Sequence, residues 1–276
     1  VDRPTDRPTL VASDVDGTLI DDDERVTPRT RTAVAAVVAS GTPFVLATGR
    51  PPRWLGPVVD GLGFAPLAVC ANGAVLYDAE HDRVLGASTL PVETLAWIAD
   101  LVEYELPGAG LAAERIGATA HDTATPQFVS APGYEHAWLN PEHTEMAPED
   151  MLSSPAIKML IRIPGADSAA MAAILRPLVG ERADLTYSTN NGLVEVSAPG
   201  VTKASGLQLA ADRLGVDASG LVAFGDMPND IPMLEMAERG VAMGNAHPEV
   251  KAAADEVTLA NTRDGVARVL ERLWGH

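Results

Sequence analysis

Short apolar runs alternating with helical patterns, at both ends of the chain but not in its middle, limit the possible folds more than any other feature. From the amino terminus the order reads strand near Leu10 to Asp14, helix from Pro28 to Ser40, strand Phe44 to Thr48, helix near Arg53 to Gly61, and strand Leu67 to Ala71. Thr27-Pro28 is a helix entry, with Thr as N-cap and Pro at the first helical position. Strand and helix at this spacing predict a parallel sheet covered by helices. The rhythm breaks after Asn72-Gly73. It returns with a helix over Lys203 to Leu214, strand Leu221 to Phe224, helix Asn229 to Arg239, strands Val241 to Met243 and Glu256 to Leu259, and helix Asp264 to Trp274. In between lie a hairpin over 74–87, a strand Ile157 to Ile163, a helix Ser168 to Leu178 and a hairpin Leu185 to Ser197 turning at Asn190-Asn191-Gly192. The Pro, His and Glu-rich piece from Thr125 to Asp150 has no readable period. The order fits an α/β fold: a Rossmann-like parallel sheet core with helices on both faces, interrupted by an inserted α/β domain. The core is expected over 1–83 and 199–276, the insertion over 84–198, and a frayed tail with a short DRPT duplication over 1–9.

Composition narrows the function classes. The chain has 276 residues, enough to bury a sizeable core, and no apolar run approaches the roughly 18 residues of a membrane span. No secretory signal is visible, so a cytoplasmic location is the expectation. The formal net charge of −18, with no basic stripe, opposes nucleic acid as a partner. Cys70, the single cysteine, excludes an internal disulfide and reads as a buried small hydrophobe. Six histidines show no zinc-ligand spacing. Oligomeric state is left open.

In an open parallel sheet, ligands bind outside the carboxyl ends of the strands. Asp14, Asp16, Gly17 and Thr18 follow the first strand, Thr48, Gly49 and Arg50 the second, and "GDMPND", Gly225 to Asp230, follows Leu221 to Phe224. Asp14 and Asp16 point the same way on extended backbone, and two nearby carboxylates repel unless a cation, a shared proton or donors compensate. Lys203 lies in the first turn of its helix, where the macrodipole disfavours a cation, so an anion nearby would offset the mismatch. Each feature alone has a plain structural reading: a turn, a solvated lysine, a helix N-cap. Together at one sheet edge they supply the parts of phosphoryl transfer. A carboxylate can attack phosphorus, an all-oxygen site suits Mg²⁺, and hydroxyl, amide and ammonium donors balance the phosphoryl charge.

The motifs "DVDGT", "TGR", "VTKASGL" and "GDMPNDIPML", in that order, resemble the four motifs of the haloacid dehalogenase-like phosphatases. "CANGA" and the insertion between the second and third motifs resemble the Cof-like branch, with its α/β cap. The resemblance implies a Mg²⁺-dependent phosphatase of small phosphorylated metabolites, sugar phosphates or similar, working through an aspartyl-phosphate. It implies Asp14 as nucleophile and Mg²⁺ ligand, and Asp16 as general acid and then base, its backbone carbonyl also binding Mg²⁺. Thr48 and the Gly49 amide would hold the phosphoryl group, and Lys203 would bind both it and the nucleophile. Asp226 would ligate the metal, with Asn229 and Asp230 supporting or completing that site. Arg50 and Asn72 would face the substrate. Ala204 stands where relatives often carry glycine. The alternatives are a phosphomannomutase-like isomerase and a non-catalytic phospho-ligand-binding protein. Such binding proteins usually lose an acidic motif residue, and none is missing here. The insertion is expected to close as a lid on two short linkers and to set substrate specificity.

Overall fold

The computed structural model describes residues 7–122, 126–137 and 143–275. Most of the expected tail, residues 1–6, and parts of the unreadable 125–150 stretch lie outside them. In chain order the first elements are β1 (Leu10–Ser13), α1 (Pro28–Ala39), β2 (Phe44–Ala47), α2 (Gly56–Leu62), β3 (Leu67–Cys70), β4 (Val75–Asp78) and β5 (Arg83–Ala87). There follow α3 (Val92–Glu105), β6 (Gly110–Glu114), β7 (Phe128–Ser130), β8 (His143–Glu145), α4 (Pro148–Met151), β9 (Lys158–Arg162), α5 (Ser168–Val179), β10 (Asp184–Thr186) and β11 (Leu193–Ser197). The chain closes with α6 (Lys203–Leu214), β12 (Leu221–Gly225), α7 (Ile231–Met236), β13 (Arg239–Ala242), α8 (Pro248–Ala253), β14 (Glu256–Val257) and α9 (Gly265–Trp274). It divides into two units, Val1–Leu85 with Thr202–His276, and Gly86–Val201.

The first unit holds an eight-stranded sheet in the order β14-β13-β12-β1-β2-β3-β4-β5. Its pairs from β14 to β3 are parallel, and β4 runs antiparallel beside β3. Every residue of β1, β2 and β12 is buried, as parallel strands covered on both faces require. Helix α1 packs on α2 and α9, whereas α7 packs on α6 and α8. From β1 the chain builds outward through β2 and β3, then returns to the other side of β1 with β12. That reversal leaves a crevice at the carboxyl ends of β1 and β12, the position where open α/β sheets bind ligands.

The inserted unit has its own six-stranded sheet, ordered β10-β11-β9-β6-β7-β8 and antiparallel except for β7 with β8. Its larger apolar cluster joins Leu95, Ile98 and Val102 of α3 and Met171, Leu175 and Val179 of α5 to Met159, Ile161, Val194 and Val196 of the strands. The helical residues recur every three or four positions, which is why both segments fold as amphipathic helices. The alternate strand positions carry Ala112, Phe128, Leu160 and Leu193 together with the buried pair Lys158–Glu195, whose Nζ and Oε1 are 2.5 Å apart.

Most expected elements stand within a residue or two of their predicted bounds. The expected helix Asn229 to Arg239 does not: a single tight turn, Pro228–Asp230, leads into α7, which ends at Met236, and Arg239 already starts β13. The apolar period runs on past Met236, but pairing of Arg239 with Val222 draws the backbone into the sheet. Helix α8 was not anticipated, although His247-Pro248 repeats the logic of Thr27-Pro28, with the His247 ring accepting from the Glu249 amide at 3.3 Å.

Gly73 joins β3 to β4 at φ +108°, and a Cβ there would lie 2.0 Å from the Thr202 carbonyl oxygen at the entry of α6. Gly73→Ala is therefore expected to lose about 2–3 kcal/mol in urea denaturation. Gly56→Ala, where a Cβ meets nothing within 4 Å, should change stability by less than about 0.5 kcal/mol. Equal losses in the two variants would contradict the close approach.

Candidate active site

Beyond β1 the backbone makes one wide turn, Val15–Leu19, broken by Asp16 (φ −74°, ψ 128°) and Gly17 (φ +70°). A Cβ on Gly17 would come within 2.4 Å of Asp226 Oδ2, so only glycine lets the two loops meet. The turn delivers Thr18, whose Oγ1 donates to Asp226 Oδ1 at 3.1 Å. It sends Asp16 elsewhere: its carboxylate accepts from Arg50 Nε at 2.9 Å and Arg50 Nη2 at 2.5 Å.

Lys203 is the first residue of α6, whose N-cap Thr202 accepts from the Ser205 amide while the Ser205 hydroxyl accepts from the Thr202 amide. Its Nζ donates to Asp14 Oδ1 and to Asp230 Oδ1, both at 2.6 Å, with the ammonium fully enclosed. The other Asp230 oxygen accepts from the amides of Asp226 and Met227, each at 2.9 Å. Asp230 thus ties the turn after β12 to α6 with both oxygens. The anion anticipated beside Lys203 is a pair of aspartates.

The loops after β2 and β3 are stitched together. Thr48 is buried; its Oγ1 accepts from the Arg50 amide at 3.0 Å, and its carbonyl accepts from the Asn72 amide at 3.0 Å. A hydroxyl that accepts still has its proton to donate. The Ala71 amide donates to the Arg50 carbonyl at 3.0 Å. These bonds hold Ala71 (φ +50°) and Asn72 (φ +58°) in the left-handed region, an unfavourable conformation for residues with a Cβ. Asn72 is buried and its Oδ1 accepts from Asn229 Nδ2 at 3.1 Å, while Gly49 lies against it, a Cβ there reaching 3.1 Å from the same Oδ1. The structure therefore links Thr48, Gly49, Asn72 and Asn229 in one group and Asp14, Lys203, Asp226 and Asp230 in another. Asp16 and Arg50 form a third.

Electrostatics separates these groups further. Burial pushes the Asp14 carboxyl well up, and Asp230, Asp226 and Asp16 add to the shift; the Lys203 ammonium opposes it. Burial and the neighbouring Asp230 likewise raise Asp226 to about 6, against the Thr18 hydrogen bond. Burial disfavours the Lys203 charge, but Asp14 and Asp230 outweigh it and hold the lysine protonated. Three buried carboxylates face one ammonium, and Asp14, Asp226 and Asp230 each offer an oxygen within 4.8 Å of the others. A cation would relieve that imbalance. The buried Asn229 Oδ1 has no hydrogen-bond partner, an orphan acceptor that a cation or its bound water would satisfy. Every donor in the set is a hard oxygen, a set that suits a hard divalent ion.

The sequence profile of the haloacid dehalogenase-like hydrolases matches residues 11–270. The chain belongs to that family. Among its relatives, the 5-amino-6-(5-phospho-D-ribitylamino)uracil phosphatase YitU of Bacillus subtilis (strain 168) is 30% identical over 97% of this chain and 98% of its own. A second protein of that strain with the same activity in its name, YcsE, is 27% identical over 96% and 95%. The solved structure of a Bacteroides thetaiotaomicron protein, from the phosphatases of the same superfamily, superposes with a TM-score of 0.80 at 25% identity, covering 99% of this chain and 97% of that one. This haloacid dehalogenase-like hydrolase is a phosphatase of small phosphorylated metabolites, of the Cof-like type with an inserted cap sheet. Among the described residues no helix is long and apolar enough to cross a membrane.

Thr18 stands at the end of the first strand, as the strand-end reading has it, and its role there is to donate to Asp226. Two other members of the hydrolase's site escape that reading. Asn245, just past β13, donates through Nδ2 to the Gly17 carbonyl at 2.8 Å and accepts from the Asn261 amide at 3.1 Å. The His247 amide donates to the Asp226 carbonyl at 2.8 Å. Extending the strand-end rule to the third residue past β13 would have singled out Asn245.

Lys203→Met would leave Asp14 and Asp230 buried without their cation. In chelator, the variant is expected to lose about 3–5 kcal/mol at neutral pH. Asp14, already raised by burial and then deprived of its ammonium, would have a folded-state pKa further above that of the unfolded chain. Stability from such a group is complete below the unfolded value, about 4, and lost as pH rises through the folded value. The deficit should therefore shrink on acidification from about pH 8 to about pH 5. A deficit independent of pH in urea melts would contradict the assignment.

Proposed function

We propose that the protein hydrolyses phosphate monoesters by transferring the phosphoryl group to Asp14 and then to water, with Mg²⁺ as the bound cation. The observation that carries this reading is the enclosed Lys203 ammonium bridging Asp14 and Asp230 at 2.6 Å each, with Asp226 in the same cluster at the carboxyl ends of β1 and β12. Lys203 fixes one oxygen of Asp14, so the carboxylate is oriented before substrate arrives. Splitting hydrolysis through a carboxylate nucleophile replaces one difficult displacement by two easier ones. When bound, Mg²⁺ neutralises charge on the phosphoryl oxygens and the nucleophile. Asp14, Asp226 and the Asp16 backbone carbonyl would hold it. Asn229 and Asp230 fall to different roles: Asp230 has both oxygens engaged with Lys203 and two amides, so it supports the site, whereas Asn229 has an unpartnered oxygen to offer.

The Thr48 hydroxyl and Gly49 amide would receive the phosphoryl oxygens, and Asn72 holds Asn229 in place beside them. Asp16, outside the buried cluster, would protonate the departing oxygen and then take the proton of the attacking water. The two Bacillus relatives named for a substrate act on a phosphate ester of a ribityl chain. A sugar or sugar-alcohol phosphate is accordingly the substrate class we assign. Since the phosphoryl group is common to all monoesters, discrimination among them is assigned to the inserted unit.

Phosphate release from a panel of sugar and polyol phosphates tests this. EDTA should abolish activity and Mg²⁺ restore it, and Asp14→Asn should be inactive. Asp16→Asn should lose about 10²–10⁴-fold in rate while retaining metal and phosphate binding. Full activity of Asp14→Asn, or a rate indifferent to EDTA, would refute the mechanism. Isomer formation outpacing phosphate release would replace hydrolysis by a mutase reaction.

A further inference from the structure

Asp16 and Arg50 are joined as a fork. Nε meets Oδ2 at 2.9 Å and Nη2 meets Oδ1 at 2.5 Å. The arginine is otherwise immobilised. Its Nη1 donates to the Trp54 carbonyl at 3.3 Å, its amide donates to Thr48 Oγ1 at 3.0 Å, and its carbonyl accepts from the Ala71 amide at 3.0 Å. The two side chains differ sharply in exposure: 14% for Arg50 and 56% for Asp16. A mostly buried cation is therefore holding a carboxylate that is more than half exposed. A second carboxylate, Glu24, comes within 3.9 Å of the same Nη2.

This arrangement leaves little of Arg50 for the substrate. A phosphate-binding arginine presents its fork to the anion, whereas here the Nε–Nη2 edge is taken by Asp16 and Nη1 faces a carbonyl. Only the Arg50 side of the pair is buried, and water around the 56% exposed Asp16 carboxylate screens what the pair adds to stability. Bidentate geometry does fix direction, which a proton-transfer group requires.

We propose that Arg50 is a positioning residue for Asp16, aligning its carboxylate with the leaving oxygen of the substrate. The assignment rests on the hydrolytic reading above, in which Asp16 handles the leaving-group proton. In the first step Asp16 enters as the acid, with its proton on the side turned to the substrate and Arg50 on the remaining lone pairs. The Asp14–phosphorus bond forms, the phosphorus–oxygen ester bond breaks, and the departing alkoxide takes that proton, leaving the carboxylate paired with the fork. An alkoxide needs that proton. A nitrophenolate departs without it. Loss of alignment should therefore harm alkyl phosphates far more than aryl phosphates, and kcat/KM isolates the step because it covers events only through the first irreversible one.

The test compares kcat/KM for an alkyl sugar phosphate and for p-nitrophenyl phosphate in wild type, Arg50→Ala, Arg50→Lys, Asp16→Asn and the Asp16→Asn/Arg50→Ala double variant. Arg50→Ala is expected to raise the aryl-to-alkyl ratio by about 10–100-fold, part of the range of an acid–base group. The alkyl loss should fall on kcat, with KM little changed. Arg50→Lys should lie between, since an ammonium keeps the charge but not the fork; it also serves if Arg50→Ala fails to fold by circular dichroism. The double variant should show the same ratio as Asp16→Asn alone, because two residues acting through one proton are not additive. Equal losses on both substrates with a raised KM would assign Arg50 to phosphate binding and overturn the proposal. So would additive losses in the double variant. Wild-type protein that releases no phosphate from either substrate, with any divalent cation, would instead overturn the hydrolytic reading, and this one with it.

Discussion

One buried ammonium holds the catalytic end of the sheet together. Lys203 reaches Asp14 at the end of β1 and Asp230 beyond β12, while Asp230 secures the amides of Asp226 and Met227. Remove that cation and three carboxylates share a buried space with nothing to offset them. The close packing around it serves the same end: Gly73 approaches Thr202, Gly206 approaches Val69 and Gly17 approaches Asp226, each too near for a side chain. A lysine at a helix N-terminus is locally unfavourable. Here the two aspartates and the capping box at Thr202 outweigh that.

The same geometry gives the acidic residues different surroundings. Asp14 and Asp226 lie inside, where burial and the neighbouring Asp230 push both carboxyls up. Asp16, two residues from Asp14, is turned out by the break at Asp16-Gly17 and gripped by Arg50. Carboxylates with different surroundings can perform different chemistry at one pH, one set holding a metal and attacking phosphorus while another moves protons. The spacing of two residues in "DVDGT" thus works through the turn between them, not through a shared face.

The core of this arrangement was legible because buried parallel strands are written as apolar runs, so polar residues at their ends stand out. Lys203 was conspicuous for a related reason: it conflicts with its helix dipole, and such conflicts mark sites. The pairing of Arg50 with Asp16 was hidden, since it depends on the register that sets Ser13 beside Leu46 and on a turn no local pattern specifies. Asn245 lies three residues beyond the end of β13, farther out than the first residues a strand end presents. In the insertion, β6 reads "GLAAE", lacking the β-branched residues that signal a strand, and is held by its neighbours β7 and β9. Helix α3 carries Leu95, Ile98 and Val102 at helical spacing, a period visible in the sequence but obscured by the irregular stretch after it.

The central claim is that Asp14, oriented by Lys203, accepts the phosphoryl group. The most direct measurement is to quench the enzyme during turnover with Mg²⁺, reduce it with borohydride, and locate the product by peptide mass spectrometry. An acyl phosphate is reduced where a free carboxylate is not, so the account predicts homoserine at position 14 and at no other aspartate. Homoserine at Asp16, Asp226 or Asp230, or turnover with no reducible intermediate at all, would contradict it.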